Sequence, residues 1–405
     1  MNKTSYRPWL MLAFAMLMLL VSNGMILSGL SAFDKSLLAE FGWNRGTLKA
    51  RDLITLLATG LAAPFIGAVI DRIGVRRLIL VGAAVLSLAY YLYSRVGSPM
   101  EVYGIHLLFA IVLVGCGLNV GVILVSNWFE AKRGTALGIA IMGTSVGGMI
   151  FPPLITQLVS SQGWRAAFVT LAAVPAVLLV LAALVVRSRP ADVGELAFGA
   201  GTASKAGAPQ GLSSGLSFGE ALRTPTFWIL CFTACMTFYA MMSAMAHLFL
   251  HMQDLGFAPP VAAKALSLMF GLALVGKLVF GALSDWLDQK LVYLANLAVM
   301  LSGAVALATL KVDWVWIAVG LFGLGWGGMY TMLQLQAINA FGLKAAGKVL
   351  GTLVMVEAIG GGVGIFATGV LFDIHKNYQL AFGLICVLLT LSLLASTRVK
   401  RLQLG

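Results

Sequence analysis

Residues 134–154 read GTALGIAIMGTSVGGMIFPPL, and residues 351–371 read GTLVMVEAIGGGVGIFATGVL. Set side by side without a gap, they share the opening Gly-Thr, a glycine nine residues on and a Val-Gly pair, at an offset of 217. A second pairing lies at an offset of 214, between GAVIDRIGVRR (67–77) and GALSDWLDQK (281–290). Two pairings at nearly one separation read as two copies of a single unit.

The composition says what kind of unit. Of 405 residues, 60% are hydrophobic and 10% charged, whereas a soluble chain carries about 25% charged residues. Mean hydropathy is +0.96. The charges mark off twelve runs of spanning length: 8–33, 53–70, 78–94, 102–129, 134–160, 166–186, 225–250, 264–284, 291–310, 314–339, 349–372 and 378–397. The expected fold class is therefore all-α integral membrane, with twelve transmembrane helices in two six-helix repeats. Segment 188–219, rich in Gly, Ser and Ala, reads as a linker. It divides the chain into a first bundle (1–187) and a second (220–405), with FGEALRTPTFW as a short surface helix leading into the seventh span.

The net charge of +12 encodes orientation and not a nucleic-acid partner. With a cytoplasmic N-terminus, 17 of the 27 Lys and Arg fall on the cytoplasmic side, nine outside, and Lys277 within a span. That bias is expected of a multi-pass protein of a bacterial-type inner membrane with both termini cytoplasmic. The first run is too long for a signal-peptide core and reads as a retained helix. All four cysteines fall in spans without a metal-ligand pattern around them, so neither a metal nor another cofactor is expected. No Ser/His/Asp cluster suggests an enzyme, and no sensor domain suggests a receptor.

Two spans hold an interior charge. Lys277 lies eight residues before Asp285, and Glu357 nine after Lys348. At helical rise these are roughly 12 and 13.5 Å from the same membrane face, near the middle of a hydrocarbon core about 30 Å thick. A buried interhelical ion pair or a snorkelling lysine would account for them structurally. The functional reading is a site in which Lys277 binds a small carboxylate as a point charge and Glu357 carries a proton. Substrate at Lys277 would weaken the lysine's hold on Glu357, so that anion and proton load together. Asn119 and Tyr330 lie at similar depth and either line the substrate site or satisfy neighbouring helices. His247 and His251, one turn apart, are candidates for proton entry.

GAVIDRIGVRR resembles the loop signature of the major facilitator superfamily. NWFEAKRGTALGIAIMGTSVGG (127–148), GWRAAF (163–168) and ALRTPTFWIL (221–230) resemble its monocarboxylate transporter branch and the related oxalate:formate antiporters. AFDKS (32–36) resembles the stretch where those transporters keep a lysine, here Lys35. The resemblance implies a gate formed by Asp71 with Arg72, Arg76 and Arg77, a role for Lys35 in gating, and a monomer working by alternating access. In the second copy Trp286 and Asp288 depart from the signature. Monocarboxylate transporters have Arg where Lys277 stands and Asp four residues earlier, where this chain has Ala273. The function implied is proton symport of a lactate- or pyruvate-like monocarboxylate across the bilayer. The alternatives are exchange of oxalate:formate type and proton-driven export of hydrophobic or cationic compounds.

Overall fold

The computed structural model describes residues 6–62, 69, 72–131, 133–200, 215–342 and 345–399. Helix α1 (Arg7–Asn23) runs on through a π turn (Gly24–Ser28) and a 3-10 turn (Gly29–Phe33) into α2 (Asp34–Phe41). There follow α3 (Arg45–Ala62), α4 (Val75–Tyr93), α5 (Pro99–Gly115), α6 (Leu118–Trp128), α7 (Arg133–Gln162) and α8 (Trp164–Val185). The second half comprises the short α9 (Phe218–Leu222), then α10 (Pro225–Asp254), α11 (Pro259–Trp286), α12 (Gln289–Ala308), α13 (Val312–Phe341), α14 (Ala346–His375) and α15 (Gln379–Ser396).

Local signals set several starts. Proline opens α5, α10 and α11, where its missing N–H costs nothing. Ser98, Thr224 and Asp288 accept from backbone N–H groups of the first turns of α5, α10 and α12. Ser217 and Glu220 form a reciprocal capping box on α9, the expected short helix.

Among the described residues, eleven helical stretches are long and apolar enough to cross a membrane. The expected second span is the exception. Its helix, α3, begins at Arg45 instead of 53 and contains Arg45, Lys49, Arg51 and Asp52; most of residues 63–70 lie outside the described residues. The expected fourth span is two helices, α5 and α6, broken at Cys116–Gly117.

The chain packs as two compact units. One comprises Met1–Phe33 with Leu61–Pro209, the other Asp34–Gly60 with Gln210–Gly405. In the first, α1 packs on α7 and α4 on α8; in the second, α10 packs on α14 and α12 on α15. The repeat glycines make the first pairing in each. A methyl on Gly143 or Gly147 would come within 2.3 Å of the Met16 or Leu20 carbonyl oxygen. At the matching positions, methyls on Gly360 and Gly364 would come 2.2 Å from Cys235 O and 2.6 Å from Tyr239 O. Both helix pairs thus touch backbone to backbone through a small-xxx-small face. The shared residues of the duplicated sequence are the residues that make the duplicated contact.

Gly143→Ala and Gly360→Ala should each destabilise the protein by about 1–3 kcal/mol, because a packed backbone has to move. Gly138 and Gly351, on the same two helices, face nothing within 4 Å. Gly138→Ala and Gly351→Ala should be neutral or stabilise by about 0.5–1 kcal/mol through helix propensity. Melting temperatures in detergent distinguish the two classes.

Candidate functional site

In the second unit, α11 and α13 meet closely. A methyl on Gly327 would lie 1.8 Å from Ala273 O, and one on Gly276 would lie 2.0 Å from Leu324 O. This contact brings the half-buried Lys277 of α11 to Tyr330 of α13, with Nζ 5.4 Å from the ring centroid. Such an ammonium-over-ring placement is a cation–π contact. Phe238 of α10 packs on the other side chain's ring at 5.8 Å between centroids. Glu357 of α14 is 8% exposed and lies close enough to Tyr330 for electrostatic interaction. Glu357 is not among the ion-paired acids of the described residues.

Lys277 and Tyr330 are therefore brought together from two helices, with Glu357 of a third within electrostatic reach of the phenol. Ala273, standing where the resemblance leads one to look for an acid, is 1% exposed, with its carbonyl packed against Gly327. Asn119 belongs to the other unit, exposed in the first turn of α6.

A second constellation was not legible as a site. Asp34 of α2 is fully buried, and Lys49 and Arg51 of α3 are 1% and 0% exposed. Lys49 Nζ lies 2.6 Å from Asp34 Oδ2 and 3.7 Å from Asp52 Oδ2, and donates to Ala246 O of α10 at 2.7 Å. Arg51 pairs with the other oxygen of Asp34 and reaches Asp52 Oδ1 at 3.6 Å. One aspartate thus neutralises two cations inside the unit, and Asp52 completes the balance.

Arg45 extends this network along α3. Its guanidinium pairs with Asp254 Oδ1 at 2.7 Å, donates to the Tyr378 hydroxyl and stacks on Phe372 at 3.6 Å. Asp373, near the end of α14, accepts from the backbone N–H groups of Arg45 and Gly46 and so caps the positive N-terminus of α3. His247 Nε2 faces the Ile365 carbonyl at 2.9 Å, an acceptor only, so that nitrogen carries the proton. Its Nδ1 then accepts from the Tyr378 hydroxyl at 3.1 Å. His251 is buried as well, edge-on to Tyr378 and Phe382.

Of the gating candidates, Asp71 lies outside the described residues, Arg72 and Arg77 are exposed, and Arg76 is half-buried. Lys35 is exposed on α2; its neighbour Asp34 holds the buried position. The spacing of positions 45, 49 and 52, which shares one helix face, was the signal in the sequence for a charged helix at this place.

Residues 10–365 match the profile of the Major Facilitator Superfamily. The chain belongs to this superfamily. It is a multi-pass membrane transporter and not an enzyme. It is 27% identical over 331 residues to Monocarboxylate transporter 13 of Rattus norvegicus, covering 79% of this chain and 72% of that one. It is 24% identical over 227 residues to the Oxalate:formate antiporter of Oxalobacter formigenes, covering 55% and 50%. The crystal structure of a bacterial homolog to the human lysosomal transporter Spinster shares the fold, with a TM-score of 0.76, 15% identity and 99% of both chains covered.

Asp34→Asn leaves Lys49 and Arg51 buried with too little negative charge, and should cost about 3–5 kcal/mol. Lys35→Ala, one residue on but exposed, should leave the melting temperature nearly unchanged. Thermal unfolding of the two variants in one detergent checks the contrast.

Proposed function

We propose that this superfamily transporter carries a small monocarboxylate of the lactate or pyruvate type together with a proton. The observation that carries the reading is a half-buried ammonium over a phenol, with a buried carboxylate outside the ion pairs of the described residues within electrostatic reach of that phenol. Lys277 binds the substrate carboxylate as a point charge, and the Tyr330 hydroxyl donates to it. A charged carboxylate outside an ion pair is costly to carry through the bilayer interior, which makes Glu357 the natural proton carrier. Asn119 is assigned to substrate binding on its depth in the expected fourth span alone, and His247 and His251 serve proton entry. Asp71, Arg72 and Arg76 act as a cytoplasmic gate and Lys35 in gating, on the strength of the motif resemblance. The charge bias supports a bacterial-type inner membrane location with both termini cytoplasmic, and superfamily precedent a monomer.

The likeness to a protein named as a monocarboxylate transporter supports this substrate class. The likeness to a protein named as an oxalate:formate antiporter favours a second reading, exchange of one anion for another on the same lysine.

Purified protein in liposomes containing a pH-sensitive dye tests the first reading against a panel of lactate, pyruvate, acetate, formate and oxalate. Carrier-dependent acidification should appear with a monocarboxylate and be lost in Lys277→Ala. Glu357→Gln should abolish proton-coupled uptake while leaving anion exchange measurable with labelled substrate. Unchanged proton-coupled uptake in Glu357→Gln would remove the coupling assignment. Exchange without acidification in the unmodified protein would establish the second reading.

A further inference from the structure

The first unit carries an open cavity of about 370 Å³, far along the chain from Lys277, Tyr330 and Glu357. It is lined by Ser94, Arg95, Arg165, Ala166 and Val169, where the end of α4 meets the start of α8. Arg165 is held in place on three sides: one nitrogen donates to Ser94 O at 3.0 Å and to Val96 O at 3.3 Å, and its guanidinium stacks over Trp164 at 4.2 Å. Arg95 lies near the Tyr91 ring, 5.7 Å from its centroid, with one nitrogen 3.4 Å from the hydroxyl. The acid on the following helix, Glu101, accepts from Gly97 N at 2.9 Å.

The surroundings decide the ligand class. On α4 the exposed residues Leu88, Tyr91 and Leu92 run down from Arg95, and on α8 the exposed Val169 lies one turn below Arg165. These are apolar surfaces on spanning helices, and the bilayer covers such surfaces. Two guanidiniums at the ends of two spans, above an apolar wall and flanked by Trp164 and Tyr91, match an amphipathic anion: a charged head with hydrocarbon beneath it. Arginine recognises phosphate oxygens through its planar fork of donors. A soluble anion would use the cations and leave the wall unused. The charge bias assigns this end to the outer face, where only nine of the 27 basic residues fall, and two of those nine converge here.

We propose that this cavity binds the phosphate head-group of an anionic phospholipid, with its acyl chains lying on the α4–α8 face. The site is independent of the proposed substrate site and of the symport reading.

Native mass spectrometry of the full chain, released from detergent with phosphatidylglycerol or phosphatidylcholine, provides the test. A phosphatidylglycerol adduct should be retained in preference to phosphatidylcholine. Arg95→Gln, which disturbs only the contact with Tyr91, should weaken that adduct about fivefold, as expected for one basic residue at a membrane surface. Arg165→Lys, which keeps the charge but not the fork, should weaken it while the fold persists. Equal retention of phosphatidylglycerol by the unmodified protein and Arg95→Gln would overturn the proposal. So would displacement of the lipid by millimolar inorganic phosphate, because the site would then be one for a soluble anion.

Discussion

Helices inside a bilayer gain little by burying apolar side chains against one another, because lipid is equally apolar; they gain by close packing. In this protein that closeness is bought at Gly143, Gly147, Gly360 and Gly364, where α7 lies against α1 and α14 against α10. The same device brings α11 to α13 through Gly276 and Gly327 and so sets Lys277 beside Tyr330. The architecture of each half and the geometry of the proposed site therefore depend on one constraint, the absence of a side chain at a few helix crossings.

Charge is handled differently in two places. Around Asp34 the charges are paired, buried and balanced, and their neutralisation ties α2, α3 and α10 into one unit. Around Lys277 the cation meets an aromatic face, while Glu357 stays outside the ion pairs of the described residues. A fully paired network resists change because removing either partner exposes the other. A carboxylate outside such a network, as Glu357 is among the described residues, can take up a proton without stranding a buried cation, which is why the proposed proton step is placed there and not at Asp34.

The sequence made the all-helical membrane fold and its duplication legible because both rest on periodic, local signals: apolar runs of spanning length and glycines in constant register. Lys277, Tyr330 and Glu357 could be singled out because each is conspicuous in an apolar run. The Asp34 network was missed for the opposite reason. Lys49 and Arg51 read as loop charges, since nothing local shows that Asp34, Ala246, Asp254, Asp373 and Tyr378 will surround that helix. The resemblance drew attention to Lys35, one residue from the buried Asp34, because a motif marks a position on the chain and not the direction of its side chain.

The polarity of α3 has a consequence for how the protein is made. Arg45, Lys49, Arg51 and Asp52 all fall in the first eight residues of α3, ahead of the uncharged run 53–70 that is long enough to span the bilayer, and Asp34, which pairs with two of them, precedes them in the chain. Two further partners lie much later: Ala246 O, which accepts from Lys49, is 197 residues on, and the Tyr378 hydroxyl, which accepts from Arg45, is 333 residues on. The second span leaves the ribosome well before those two partners exist, so the polar start of α3 takes its final contacts only once the later helices have been synthesised. The second helix is therefore placed early by its apolar run and fastened late by its charged end.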